Sequence, residues 1–87
     1  MAIVVDCKFN KGDYIINRTC GDMAIVKGVT AKGYYTFQEY YDEMFHSLKD
    51  LKKYVYELQV NYQKFFELCN EEEKEKLDDI IRKRGGN

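Results

Sequence analysis

From residue 37 to residue 69 the large apolar side chains recur without a slip. Phe37, Tyr41, Met44, Leu48, Leu51, Val55, Leu58, Tyr62, Phe65 and Cys69 follow one another at alternating steps of four and three. No glycine or proline interrupts the stretch, and such spacing is the mark of one face of an α-helix. Thr36-Phe37-Gln38-Glu39 fits a capping box, with Thr36 as N-cap and Glu39 reaching back to it. A second start at Ser47-Leu48-Lys49-Asp50 would split the pattern near His46 into a helical hairpin. The unbroken phase favours a single helix over residues 36–69.

That helix constrains the rest. At 1.5 Å per residue it would be about 50 Å long, whereas a compact domain of this size measures roughly 30 Å across. An 87-residue chain cannot cover such a stripe with its own remaining elements. The flanking Tyr40, Phe45, Tyr54, Phe66 and Leu68 widen the stripe beyond a two-stranded seam. The sequence therefore predicts a homodimer packed helix on helix, with Met44, Leu48, Leu51, Val55, Leu58, Tyr62 and Phe65 as its interface.

Before residue 36 the chain has another character, holding every glycine except the pair at 85 and 86. Short apolar runs, Ala2–Val5, Tyr14–Ile16 and Met23–Val29, alternate with turn-like clusters at residues 10–13, 19–22 and 31–33, and Tyr34-Tyr35 opens a further strand. Strands of this length between Gly, Asp and Asn form a β-meander or small barrel. At the other end Asn70 is a good N-cap, Glu71-Glu72-Glu73 lies on the positive end of a helix dipole, and Arg82-Lys83-Arg84 lies on the negative end before Gly85. The expected fold is α+β in a single domain, residues 1–87. It comprises an antiparallel β-rich part (1–35), a long heptad-patterned helix (36–69) and a short C-terminal helix (70–84).

Composition limits the chemistry. Net charge is −1 and charged residues make up 33%, so no overall field draws the chain to nucleic acid or membrane. Cys7, Cys20 and Cys69 show no C-x-x-C spacing, and no basic, apolar leader precedes them. Free thiols in a cytoplasmic protein are the expectation, with no metal, no cofactor and no membrane span. His46, between Asp42, Glu43 and Asp50, reads as a solvated surface histidine. No catalytic residue is assigned, because the chain has no phosphate-cradling glycine loop, no G-x-S-x-G and no H-E-x-x-H. Tyr56 and Val60 fall one turn apart on the face opposite the stripe, with Lys53 and Lys64 nearby, and form a candidate partner contact.

Lys11-Gly12-Asp13-Tyr14-Ile15-Ile16, followed by Gly21-Asp22-Met23-Ala24-Ile25-Val26-Lys27-Gly28-Val29, resembles the opening of SH3-like and KOW-type small barrels. Similar openings occur in short proteins of phages and mobile elements. The resemblance, over residues 11–35, implies a barrel that binds another macromolecule through its loops. The leading expectation is a non-catalytic accessory or inhibitory protein that binds an unidentified protein partner. The alternative is a nucleic-acid-binding adaptor using Arg18, Lys27, Lys32, Tyr34 and Tyr35. The family's RNA binders carry more basic residues, and the long helix is no part of its pattern.

Overall fold

The computed structural model describes residues 7–51 and 57–85. Among these residues six antiparallel strands and one C-terminal α-helix make an α+β domain: β1 (Tyr14–Ile16), β2 (Met23–Val29), β3 (Tyr34–Asp42), β4 (Ser47–Leu48), β5 (Glu57–Gln59), β6 (Glu67–Leu68) and α1 (Glu71–Gly85). A 3-10 helix, Val60–Phe65, links β5 to β6. β1 and β2 and their turns fall where the glycine-punctuated pattern puts them, and the expected strand Ala2–Val5 lies outside the described residues. Gly12, Gly21 and Gly33 take positive φ in those turns, the backbone region that glycine enters at least cost.

The long helix is not formed. Phe37 and Tyr41 belong to β3, Leu48 to β4 and Leu58 to β5, while Tyr62 and Phe65 lie on the 3-10 helix. Thr36 caps nothing: it sits within β3 and its hydroxyl donates to the Gly28 carbonyl. The physical reason lies in residues 34–41, Tyr-Tyr-Thr-Phe-Gln-Glu-Tyr-Tyr, which are dense in aromatic and β-branched side chains that favour a pleated, half-buried surface. As a strand this segment finds partners on both edges within its own chain, which a 50 Å helix could not.

β3 is the organising strand. Its inner edge pairs with β2, and its outer edge pairs with β5 over Tyr34–Thr36 and with β4 at Tyr41 and Asp42. β1 pairs with β2 on one side and β6 on the other. Laid flat, the order β5-β3-β2-β1-β6 would be about 19 Å wide at 4.8 Å per spacing. The 3-10 helix that joins the two outer strands advances only about 2 Å per residue. The sheet must therefore curl to bring its edges within reach of each other.

Curling creates an inside and an outside, and both are apolar. Inside, Phe9, Ile15, Ala24, Val26, Tyr35, Phe37, Val60 and Phe66 form one buried cluster. Outside, Ile16, Met23, Ile25 and Tyr41 bury against Cys69 and against Leu77 of α1, flanked by Ile80 and Ile81. A bulge reconciles the two faces along β3: Ile25 pairs with Glu39 and Val26 with Phe37, which leaves Gln38 as an extra residue. Tyr35 and Phe37 before the bulge face inward, whereas Tyr41 after it faces the helix.

The helix is fixed as its sequence predicts. Glu73 N donates to Asn70 Oδ1 at 2.8 Å and Asn70 N donates to Glu73 Oε1 at 2.9 Å, a reciprocal cap. The Tyr14 hydroxyl donates to Asp78, and this carboxylate acceptor pushes the phenol pKa up to about 12. Among the described residues no helix is long and apolar enough to cross a membrane.

Candidate partner-binding surfaces

Two surfaces display large apolar side chains on rigid supports. The first is the outer face of the 3-10 helix. With three residues per turn and a rise near 2 Å, side chains three apart in such a helix eclipse one another at about 6 Å. Tyr62 and Phe65 obey this geometry, with ring centroids 6.0 Å apart and planes inclined by 24°. They are 49% and 53% exposed. Beneath them the segment is pinned to the sheet. Val60 and Phe66 enter the inner cluster, and Gln63 Oε1 accepts from the Lys8 amide and from the Tyr35 hydroxyl. Lys64 Nζ lies 5.4 Å from the Phe65 ring centroid, and Lys8 Nζ donates to the carbonyl of Phe66, the next residue in the chain.

The second surface is the β3–β4 turn, which carries Met44 and Phe45, 79% and 64% exposed. Every neighbour of these two is tethered. The Glu43 amide donates to Asp22 Oδ1, the Tyr40 hydroxyl donates to Asp22 Oδ2, and the Met44 amide donates to Asp42 Oδ1. Burial, then the Asp22 carboxylate, drives the Tyr40 pKa well above the usual phenol range. Glu43 reaches Lys76 on α1 at 3.6 Å and packs its Cγ against Gly21, where a Cβ would lie 2.9 Å away. His46 closes the turn at φ 50°, with Nδ1 3.3 Å from the Tyr41 hydroxyl. Lys49 pairs with Asp42 at 3.5 Å and sits 4.4 Å from the Phe45 ring centroid. Beside the turn, between β3–β4 and α1, run two open clefts of about 450 and 310 Å3 that share Arg84.

The sequence-derived candidates scatter over this framework. Of the proposed partner contact, Lys64 flanks the stacked rings, Val60 is 3% exposed and belongs to the core, and Lys53 and Tyr56 lie outside the described residues. Val60 is thus withdrawn as a surface residue, since its outward position existed only on the long helix. The proposed helix interface dissolves with that helix. Leu48 packs toward α1, Leu51 and Leu58 pack on the inner cluster, Met44, Tyr62 and Phe65 face solvent, and Val55 lies outside the described residues.

The proposed nucleic-acid set is not one surface either. Tyr35 is fully buried, and Tyr34 is half-buried, its hydroxyl accepting from Gln59 Nε2 at 3.3 Å. Arg18 forks onto Glu67 and Glu73, whose carboxylates raise its pKa further above the usual range. Lys27 and Lys32 are exposed, but Lys32 is in the β2–β3 turn. Arg18 lies at the opposite end of the seven-residue β2, about 23 Å away along the strand. Among the described residues no three His, Cys, Asp or Glu side chains converge as a metal site. Cys7, Cys20 and Cys69 form no disulfide, and burial pushes the Cys69 thiol up to about 11.

Searches against protein-family models, curated proteins and solved structures return no match to this chain.

Proposed function

We propose that this protein is a non-catalytic interaction module that binds a protein partner through the face of its 3-10 helix. The observation that carries the reading is the stacked pair Tyr62–Phe65, half-exposed on a segment that the core holds rigid. Two aromatic side chains fixed before binding offer a large contact area with little further entropy to lose, which is the character of interface hot spots. Lys64 beside the Phe65 ring favours a partner surface that carries a carboxylate. The resemblance of residues 11–35 to SH3-like small barrels, which bind other macromolecules through their loops, adds to this reading. An accessory or inhibitory protein of phage or mobile-element type is the role that a module of this size and resemblance fits.

The test is affinity capture from the native host with the wild-type chain and with a Tyr62→Ala/Phe65→Ala variant as parallel baits. The captured partner is then purified and titrated against both. Loss of two anchoring rings is expected to weaken binding at least 30-fold, about 2 kcal/mol. A partner that binds both chains equally refutes the reading. The same rings with Lys64 could instead stack single-stranded bases. Binding to a single-stranded oligonucleotide that falls steeply between 50 and 200 mM salt would move the function to nucleic acid.

A further inference from the structure

Side chains three apart share one face of a 3-10 helix. The outer face carries Tyr62 and Phe65, while Val60 and Gln63 lie on the inner face with Phe66 next in the same row. An amide thus stands at the centre of an otherwise apolar row. Val60 and Phe66 need only the inner cluster, whereas the Gln63 side chain needs hydrogen-bond partners. Two of these come from other parts of the chain: the Lys8 amide donates to Gln63 Oε1 at 2.7 Å, and the Tyr35 hydroxyl donates to the same oxygen at 2.5 Å. The Tyr35 oxygen in turn accepts from the Phe9 amide at 3.2 Å. Two successive backbone amides are therefore clipped to two side chains, one on the 3-10 helix and one on β3. Phe9 secures the clip by burial, its ring centroid 5.8 Å from that of Tyr35, and Lys8 Nζ reaches the Phe66 carbonyl at 3.0 Å.

We propose that Lys8-Phe9 is a strap that sets the shape of the 3-10 face, so that the affinity of the Tyr62–Phe65 pair for its partner is controlled from this segment through the Tyr35–Gln63 hydrogen bond. The inference rests on that face being the binding surface, and it adds a control that no contact residue carries.

The 3-10 helix depends on such a tether. Six residues of 3-10 geometry make poor internal hydrogen bonds, and among the described residues no side chain caps the N-terminus of this one. Its start is held by Val60, whose amide donates to the Gly33 carbonyl at 3.0 Å, and its end by Phe66 in the inner cluster. Gln63 is the tether between these ends and lies between the two rings in sequence. Its release frees the turn that stacks them while both ends stay on the core. Burial raises the Tyr35 phenol pKa, so the hydroxyl keeps the proton that it donates to Gln63. The coupling is reciprocal. A partner that clamps the rings holds the strap down, and a strap drawn away weakens the partner.

Amide exchange and proton NMR of the free, full chain test this. Tyr35→Phe removes one hydroxyl and Phe9→Ala unseats the strap, and neither alters the exposed rings. Each is expected to speed exchange of the Phe66 amide, which donates to the Gln63 carbonyl, about tenfold more than exchange within α1. Each should also move the Tyr62 and Phe65 ring resonances toward unstacked positions. Tyr14→Phe, which removes a hydroxyl bond to Asp78 instead, leaves both readouts unchanged. Where Phe9→Ala does not fold, Tyr35→Phe alone decides. Exchange that rises by the same factor in the 3-10 helix and in α1 overturns the proposal, because these bonds then serve only global stability. Ring resonances that stay in place overturn it too. Against a captured partner, Tyr35→Phe is expected to weaken binding about tenfold. A partner that needs the rings yet is indifferent to Tyr35→Phe also overturns the strap. One indifferent to the rings themselves refutes the binding face, and the exchange result then judges the strap by itself.

Discussion

Glu73 shows how much one side chain can hold together here. Its carboxylate receives the Arg18 guanidinium, at 2.8 Å from Nη1, and the Asn70 amide. It thereby ties the β1–β2 turn to the first turn of α1, and Arg18 extends the tie to Glu67 on β6. Arg18 first, and the Asn70 amide second, hold the Glu73 carboxyl below its usual range. A depressed folded pKa gives stability that is fully present above the unfolded value of about 4.3 and is lost as pH falls through the folded value. Glu73→Gln preserves the shape of the cap while removing the charge. Thermal midpoints should separate wild type from this variant by a few degrees at pH 6. The gap should close as the pH is lowered from about 4.5 toward 2.5. A gap independent of pH would mean that the ion pair contributes nothing. The partial exposure of both side chains keeps the effect small.

At the level of elements, the parts governed by local chemistry were legible in the sequence and those governed by tertiary pairing were not. α1 begins after its expected N-cap because Asn70, the acidic first turn and the basic last turn act within a few residues of one another. β1 and β2 are bounded by turns that need glycine at positive φ. The four-three spacing misled because it has two other sources. The Gln38 bulge shifts the inward parity of β3, so that Phe37 and Tyr41 are both buried though on opposite faces. The three-residue period of a 3-10 helix then spaces Tyr62 from Phe65 as an α-helix would. Of the candidate partner contacts Lys64 lies beside the exposed rings, whereas the exposure of Met44, Phe45, Tyr62 and Phe65 was not legible because it depends on contacts distant in the chain. The contrast between cap and packing in α1 is measurable by chemical denaturation. Asn70→Ala should cost about 1 kcal/mol. Leu77→Ala, which empties the one fully buried position on the helix, should cost about 2–5 kcal/mol. Equal costs would show that α1 does not depend on its packing against the sheet.

At the scale of the whole molecule, the two apolar clusters share a single sheet. Ala24 and Val26 face one cluster, while Met23 and Ile25, their neighbours along β2, face the other. Neither cluster survives loss of β2, and neither is closed by strands alone. The 3-10 helix and the residue that follows it seal the inner cluster with Val60 and Phe66, and α1 seals the outer one with Leu77. In a chain this small the buried surface is barely sufficient, so losing either cover should unfold both sides together. Val60→Ala should lower stability by roughly 2 kcal/mol, or about 8–16 °C in midpoint for a domain of this size. The far-UV signal of α1 and the near-UV signal of the buried tyrosines should shift by the same amount. Leu77→Ala, on the opposite face, should likewise move both signals together. If Val60→Ala moved the tyrosine transition and left the helix transition in place, the two faces would be separate folding units. The shared strand argues against that outcome, because alternate residues of β2 cannot leave one cluster and remain in the other.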